Sequence, residues 1–446
     1  MNKKEKEHLQ ELKREARKYS IKDGIFSTIK DAVSGNYISP FAIAMNASNS
    51  LIAMISSMQG LIGPMSQWKT SRLIEKYPRK NIVLTSVFFE IFTWLPLILI
   101  ALLFYFNIIT NSLPILLIIF FAFYVITANA GTPAWFSWVG DIIDEEHRGR
   151  WFAKRTFIFS IISIICTVLS AFLLDYFKKI NQIMIGFIIL FSIAMLSRTI
   201  SRYYLKKQYE PQIKIEKRSY FSLWKFIKKA PFNNFGRFTI FRALLNFSMM
   251  IAGPFFTIYM LRGLNFSYIT WMTIVISGTV FSLIFIKAWG KFSDKYGNYE
   301  VFKITIILVA LCPITWIFHT SPIYLILVPQ LLSGIGWGGF NLAASNYIFD
   351  CVTPQKRALA VSYHELLNGI GTFAGATTGA ILITKLSFMS INPIFLIFII
   401  SGIARLAVGI IMIPKIKEVR ECKEFDNLNF IKKIFFRFNK HTHSHE

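Results

Sequence analysis

Four titratable side chains are placed by the sequence inside or beside long apolar runs. Glu90 interrupts one run, Asp31 occurs in an unusually polar stretch ahead of another, and His364 and Glu365 are neighbours within a third. An ionisable group in an apolar environment is expensive and is usually retained for a substrate or proton pathway. Imidazole and carboxyl groups can exchange protons, so we expect proton transfer to involve these four residues.

Structural roles for the same residues are also consistent with the sequence. Lys30 precedes Asp31, and the two charges could neutralise each other near the end of a helix. Glu90 could be a carboxylate that is hydrogen-bonded between helices. His364 and Glu365 are adjacent, so they point to different faces of a helix and at most one is expected to face a cavity.

Further polar residues extend this candidate pathway. Arg242 and Asn246 are four residues apart and share one helical face, where Arg242 could meet an anionic solute or a carboxylate such as Asp31 or Glu90. Arg242 could equally be an anchor near the end of its helix. The other candidates offer neutral hydrogen bonds to a solute, and they are Asn36, Asn341 and Asn368.

Charged turns form a second group of candidate residues. Gly290-Lys-Phe-Ser-Asp294-Lys295 lies between two apolar runs, and the stretch containing Glu75 and Arg79 occupies the corresponding place in the first half. A carboxylate in such a turn can bind the N-terminus of a helix from the other half, where free N–H groups and the helix dipole favour an anion. Such a latch would stabilise one arrangement of the halves by ~1–2 kcal/mol.

A second pair of matching turns carries an acid followed by a base. These residues are Asp141 and Arg148 in the first half and Asp350 and Arg357 in the second. We expect Arg79 to pair with Asp141, and Lys295 with Asp350. The alternative is that all these charges are solvated loop residues that only set the orientation of the chain in a membrane.

The apolar content of the chain requires a membrane. Hydrophobic residues make up 54% of the 446 residues and aromatic residues 16%, which is more than a soluble protein of this size could bury. Runs such as 81–106, 113–138 and 156–177 are near or above the ~20 residues that cross a ~30 Å hydrocarbon layer. Lipid offers the backbone no hydrogen-bond partners, so these runs should be helical. We predict about twelve spans.

The net charge of +25 reflects orientation in the membrane rather than nucleic-acid binding. Lys and Arg are concentrated in the first 22 residues, in alternate loops such as 69–80 and 202–237, and after Pro414, whereas 106–112 contains none. This is the positive-inside pattern, and it places both termini in the cytoplasm of a multi-pass protein of the cell membrane. Membrane lipid, and no nucleic acid, is therefore expected as a partner.

The predicted organisation has five parts. A cytoplasmic segment, 1–22, precedes a six-helix bundle, 23–204, and a cytoplasmic loop, 205–236, contains a short interfacial helix. A second six-helix bundle, 237–414, and a cytoplasmic tail, 415–446, complete the chain. The four cysteines have no metal or redox spacing, and we predict no metal site and no cofactor.

The turn Gly290-x-x-x-Asp294-Lys-x-Gly297-Asn298 resembles the signature loop of the major facilitator superfamily, and its first-half copy stands where that family places one. The stretch from Ala134 to Arg155 resembles a prokaryotic branch of undefined substrate. The resemblance covers about 23–414 and implies an all-α polytopic membrane protein: the MFS fold, with twelve transmembrane helices in two pseudo-symmetric six-helix bundles. It also implies a midplane cavity and alternating access driven by an ion or solute gradient. Ser71 and Pro78 replace the family's glycines in the first-half loop.

These features together predict a secondary transporter rather than an enzyme. We expect a monomer that moves a small organic solute by alternating access, with proton coupling and with efflux favoured over uptake.

Gly334-Ile-Gly336-Trp-Gly338 superficially resembles a dinucleotide fingerprint, but it lies in an apolar span with no preceding strand. The alternative is a membrane protein of the same fold that does not transport and acts as a sensor or assembly partner.

Overall fold

The computed structural model describes residues 3–143, 148–211, 222–352, 354–386 and 392–423. Within these ranges all regular secondary structure is helical, with short 3₁₀ and π turns between the longer helices. The helices are α1 (Lys3–Ser34), α2 (Ile38–Ala44), α3 (Asn49–Ser71), α4 (Arg79–Tyr105), α5 (Leu113–Ala130), α6 (Thr132–Ile142), α7 (Arg148–Lys179), α8 (Ile183–Lys207), α9 (Leu223–Lys229), α10 (Asn234–Ile258), α11 (Tyr268–Tyr296), α12 (Asn298–Thr315), α13 (Pro322–Leu325), α14 (Leu331–Cys351), α15 (Pro354–Leu386) and α16 (Pro393–Met412). The predicted all-α architecture is confirmed.

The boundaries of α11 show how local sequence sets a long apolar helix. Ser267 precedes it with extended backbone, and its hydroxyl oxygen accepts a hydrogen bond from the N–H of Thr270 at 3.1 Å. This satisfies one of the free N–H groups of the first turn. The helix ends at Gly297, whose φ of +88° lies in the region that favours glycine. The chain can therefore reverse at once into α12.

Helix α1 is one continuous helix from Lys3 to Ser34, so the predicted boundary between residues 22 and 23 falls inside it. Ala16, in the early part of this helix, is buried against an apolar cluster that includes Val83 and Trp138. The 3₁₀ turn Gly35–Tyr37 then interrupts the helix before α2. The N-terminal segment is thus part of the first half.

Within the described ranges, ten helical segments are long and apolar enough to cross a membrane. They are α4, α5 with α6, most of α7, α8, α10 with the following π turn, α11, α12, α13 with α14, most of α15, and α16. Helices α1–α2 and α3 do not meet this criterion, because they carry more polar and charged residues. The multi-pass class is confirmed, whereas the number of twelve spans stays a prediction.

The helices form two halves, α1–α8 and α10–α16, which meet mainly where α3 packs along α15 and α7 packs against α11. We call the end that carries residues 3–22 and 413–423 the terminal end, and the end with the turns 45–48 and 264–267 the opposite end. Toward the opposite end, one apolar core contains residues of both halves, including Tyr37 and Trp271. Toward the terminal end, the buried clusters belong to one half each.

Candidate functional site

Glu90 lies at the centre of a buried charged network in the first half. Its side chain is fully buried in α4. Lys30 of α1 donates from Nζ to Oε1 at 3.0 Å, and Arg198 of α8 donates from Nε to Oε2 at 2.7 Å. Two cations therefore hold one carboxylate, which offsets the cost of burying each charge and stabilises the anion.

Asp31 extends this network toward the cavity. Its carboxylate pairs with the same Lys30 ammonium group at 2.5 Å, but its side chain is 60% exposed, whereas that of Lys30 is 5% exposed. Lys30 also lies 3.4 Å from the hydroxyl of Tyr124. A single buried lysine thus connects an accessible carboxylate to an inaccessible one.

Arg198 ties the network to a second carboxylate on α1. Its Nη1 donates to the hydroxyls of Ser27 at 3.2 Å and Ser201 at 3.0 Å. Ser201 in turn donates to Asp23 at 2.6 Å. Residues of α1, α4 and α8 therefore form one continuous set of charged and hydrogen-bonded side chains.

This network borders a cavity of about 610 Å³ within the first half. Side chains of α1, α3, α4, α5, α6, α7 and α8 line it, and Asp23, Lys30, Asp31 and Arg198 all contribute to its wall. Asn129 and Gln67 hydrogen-bond to each other at 3.0 Å on the α5 and α3 side. The volume lies within the range of ~300–1,000 Å³ that is usual for small-molecule sites.

In this structure Arg242 contacts neither Asp31 nor Glu90, so the carboxylate pairing considered for it is not present. Its Nη2 donates to Oδ1 of Asn341 at 3.1 Å, and its guanidinium lies 4.9 Å from the centre of the Phe340 ring. Both partners belong to α14, so Arg242 joins two helices of its own half. The sequence could not identify this partner, because the two residues are 99 positions apart.

His364 and Glu365 lie on different sides of α15. The His364 ring is buried, stacks 5.5 Å from Phe238, and shares a hydrogen bond of 3.0 Å with the hydroxyl of Thr239. Glu365 is exposed and within electrostatic reach of Arg242. Of the two, Glu365 alone is placed to exchange protons with solvent.

The remaining predicted pathway residues have varied surroundings. Asn36 is exposed in the 3₁₀ turn between α1 and α2. Asn246 and Asn368 are buried, and Oδ1 of Asn368 lacks a partner among the described residues. The structure thus places Asp31 and Glu90 in one network and Arg242, Asn341 and Glu365 near one another in the other half.

In the first half, the charged turn is held by the segment that follows α8. Arg79 is buried and donates from Nη1 to Asp141 at 2.5 Å and from Nη2 to the carbonyl of Pro211 at 3.0 Å. Its Nε lies 3.5 Å from Glu210. The structure therefore contains the predicted Arg79–Asp141 pair. Glu210 and Pro211, which follow α8, provide further contacts of Arg79.

In the second half, Asp350 pairs with Arg420 and not with Lys295, so that prediction was wrong. Arg420 Nε lies 2.8 Å from Asp350 Oδ2, and its Nη1 lies 3.8 Å from Asp294. The Lys295 ammonium instead lies 4.8 Å from the centre of the Tyr296 ring. The segment after α16 thus supplies the cation that we had expected from the turn itself.

Gly290 and several other candidates add little to these clusters. An added Cβ at Gly290 would meet only Leu342, at 4.0 Å, so no close helix approach requires this glycine. The side chains of Glu75, Arg148 and Arg357 lie outside the described part of the structure, as do residues 424–446 with their three histidines. Within the described ranges, no group of three or more metal-binding side chains occurs.

Contacts between the halves at the opposite end were not predicted from the sequence. Asp175, at the end of α7, accepts hydrogen bonds from the backbone N–H groups of Tyr268 at 2.7 Å and Ile269 at 2.9 Å. Arg262 donates to Asn49 at 2.5 Å and to the carbonyl of Ala47 at 2.7 Å. An anion from one half thus binds the N-terminus of a helix of the other, as expected of the charged turns but at the other end.

The most important residues that sequence reasoning missed are Arg198 and Asp175. Asp175 lies within a long apolar run and Arg198 directly follows one. The argument that identified Glu90 therefore extends to both. Arg420 gave no comparable signal, because it is one of many cations in a basic tail.

The fold and this site define a polytopic α-helical membrane protein of two halves, with a charged cavity within the first half. The chain belongs to the Major Facilitator Superfamily, whose family model matches residues 24–320 and 238–435. No curated protein sequence matches the chain.

Solved structures of similar fold include the following three. A mutant form of the nucleoside transporter NupG has a TM-score of 0.67 at 14% identity, covering 90% of this chain and 100% of that chain. A bacterial homologue of the iron transporter ferroportin in its inward-facing state has a TM-score of 0.66 at 14% identity, covering 90% and 98%. The outward-facing state of such a homologue has a lower TM-score, 0.57, at 15% identity, covering 90% and 99%.

Proposed function

We propose that this protein is a secondary transporter that moves a small organic solute across the cell membrane by alternating access. The observation that carries the proposal is the charged cavity of the first half, where Asp31 is accessible and Glu90 is sealed behind Lys30. Membrane proteins rarely keep ionisable side chains at membrane depth unless these take part in a substrate pathway or a proton relay. The fold of this family has two halves, and alternating access requires two halves that move relative to each other.

The contacts between the halves indicate which state the structure represents. All hydrogen bonds between described residues of the two halves lie along the α3–α15 contact or at the opposite end, where Arg262 and Asp175 contribute. The terminal end has separate apolar clusters. By the positive-inside rule the terminal end is cytoplasmic, so we interpret this state as open to the cytoplasm. The higher TM-score to an inward-facing neighbour supports this interpretation.

We propose that proton coupling uses Lys30, which is shared by Asp31 and Glu90. Protonation of Asp31 from the cavity would remove one of the two carboxylates that hold Lys30. Lys30 would then interact with Glu90 alone. The strength of the ion pair between Lys30 of α1 and Glu90 of α4 would therefore change. We propose that this change links the protonation of Asp31 to the equilibrium between the two states, with Glu90 as the fixed partner. Glu365 is the second candidate, in the other half.

The cavity reaches Asp23 and Gly24, in the part of α1 nearest the terminal end. We infer that a solute enters the cavity from the terminal end in this state. We propose export as the direction of transport, with uptake as the alternative.

Transport in reconstituted vesicles tests this proposal. A thermal-shift screen of the purified protein against metabolites and drugs first provides a ligand, and the flux of that ligand is then measured with and without a pH gradient. We expect the gradient to stimulate flux in the wild type, and we expect this stimulation to be lost in Asp31→Asn and Glu90→Gln.

Glu15→Gln is the matched control, because Glu15 forms an exposed ion pair with Lys18 at 2.6 Å, away from the cavity. Flux of a bound ligand that does not respond to the gradient in any variant would exclude proton coupling. Binding without flux would instead favour the sensor or assembly role.

A further inference from the structure

Arg155 of α7 occupies an aromatic site on the wall of the cavity. Its guanidinium carbon lies 4.6 Å from the ring centre of Trp135 and 4.4 Å from that of Phe159. Trp151 is a third ring, at 5.8 Å. Contacts at this distance are attractive, and they leave the in-plane N–H groups of a guanidinium free to bind elsewhere.

The close approach of α1 to this site depends on Gly24. A Cβ at this position would overlap the Phe159 ring and would lie 2.9 Å from Nη2 of Arg155. The absence of a side chain at residue 24 therefore allows the arginine to sit between α1 and the aromatic residues. Both Gly24 and Arg155 line the cavity.

Arg155 differs from the other charged groups that line the cavity because it has no hydrogen-bonded partner among the described residues. Lys30 and Arg198 both bind Glu90, Asp31 binds Lys30, and Asp23 accepts a hydrogen bond from Ser201. The buried Nε of Arg155, in contrast, has no acceptor among the described residues. Asp23 is within electrostatic reach of Arg155 but forms no hydrogen bond with it among the described residues. A partly buried cation that lacks a direct ion pair is a strong position for an anionic ligand.

We propose that Arg155 binds the anionic group of the transported solute, which makes the substrate class a small organic anion with a carboxylate or phosphate group. This inference rests on the proposed transport function. Guanidinium groups bind such planar or tetrahedral oxyanions through paired N–H donors. The cavity volume of about 610 Å³ leaves room for an organic body beside the anion, and Phe136, which is 61% exposed, adds an aromatic surface to the wall. Cationic solutes are disfavoured, because the cavity carboxylates are already engaged.

The test compares ligands of similar shape and different charge on the purified full-length protein. The probes are benzoate, phenyl phosphate, benzamide and benzylammonium, at equal concentration and in a buffer free of phosphate and carboxylates. We expect benzoate and phenyl phosphate to raise the unfolding temperature, and benzamide and benzylammonium to leave it unchanged. Arg155→Gln should abolish the shift, and Arg155→Lys should retain part of it.

Arg237→Gln is the control for a general loss of positive charge, because Arg237 lies at the terminal end and donates to the backbone carbonyls of Pro231 and Lys415. It should respond to the anions as the wild type does. The proposal is overturned if neither anion shifts the wild type, if benzamide or benzylammonium shifts it equally, or if Arg155→Gln responds normally.

Flux in vesicles separates this inference from the transport function. Transport of a neutral or cationic compound that is unaffected by Arg155→Gln would refute the anion site and leave transport standing. Anion binding that requires Arg155 but produces no flux would leave the site standing and refute transport.

Discussion

Arg198 donates to Glu90 across 2.7 Å and so joins α8 to α4 inside the first half. The last helix of the second half also carries a buried arginine, Arg405. Its Nη1 donates to the backbone carbonyl of Val309 in α12 at 2.9 Å, and its Nη2 to that of Met249 at 3.4 Å. Among the described residues it has no carboxylate partner. Both halves therefore have an arginine in their last helix, but within the described part of the chain only that of the first half binds a carboxylate.

Glu90→Gln should destabilise the protein strongly. The substitution leaves Lys30 and Arg198 buried together without the carboxylate that separates them, and loss of one partner from a buried ion pair typically costs about 3–5 kcal/mol. Chemical unfolding in detergent should show this loss, and Glu15→Gln, which removes an exposed carboxylate, should change stability far less. Equal effects of the two substitutions would contradict a stabilising network.

Arg198→Met and Arg405→Met should have opposite consequences. The first leaves Glu90 with one cation in place of two and should lower the free energy of unfolding by about 3 kcal/mol or more. The second removes a buried charge that has no carboxylate partner and should be neutral or stabilising. Both are measured by the same unfolding experiment, which makes each variant the control of the other. A large loss for Arg405→Met would show that its bonds to the two carbonyls are essential.

Asp175→Asn should favour separation of the halves at the opposite end. The substitution removes the negative charge that faces the first N–H groups of α11, an interaction worth about 1–2 kcal/mol in a partly buried geometry. In a variant without its native cysteines, a single cysteine in place of Ser50 at the α3–α15 contact should then react with a maleimide about five- to thirtyfold faster. Glu15→Gln in the same background is the control, and its reaction rate should not change.

Arg420→Gln should loosen the segment that follows α16. The hydrogen bond that Arg420 donates to the Asp350 carboxylate raises the pKa of the Arg420 guanidinium, so the cation is present throughout the neutral range. Exposed ion pairs contribute about 1 kcal/mol or less, so cleavage after Glu421 by a glutamate-specific protease should accelerate up to about fivefold. Lys423→Gln is the control, because the hydrogen bond of Lys423 to the Lys295 carbonyl comes from its backbone N–H. Cleavage at the wild-type rate would show that the ion pair does not hold the segment.

Helix class and membrane association could be predicted from the sequence, because run length and backbone hydrogen bonding leave few alternatives. The polar character of α1 was also visible, and it explains why α1 does not count among the ten apolar segments. Partners within the site could not be predicted. Lys30 and Arg198 lie 60 and 108 residues from Glu90, and only packing of three helices brings them together.

The two acid–base predictions show where the limit lies. Arg79 and Asp141 are on consecutive segments of one half, and repetition of the pattern was enough to suggest their pairing. The same reasoning predicted a pair between Asp350 and Lys295. That prediction was wrong because the chain after α16 folds back across the turn and places Arg420 Nε 2.8 Å from Asp350. Tail segments without periodicity carry no sequence signal for such a return.

Each half binds the segment of chain that adjoins it: the residues after α8 in the first half and α9 before α10 in the second. Gln208 and Pro211 accept hydrogen bonds from Lys80 and Arg79 in the first half, while Phe226 of α9 packs on Phe235 and Tyr363 in the second. Each half therefore has anchoring contacts of its own, made by residues before 212 in the first half and after 221 in the second. The protein should tolerate being produced as two polypeptides divided between residues 212 and 221, which would reassemble side by side in the lipid bilayer.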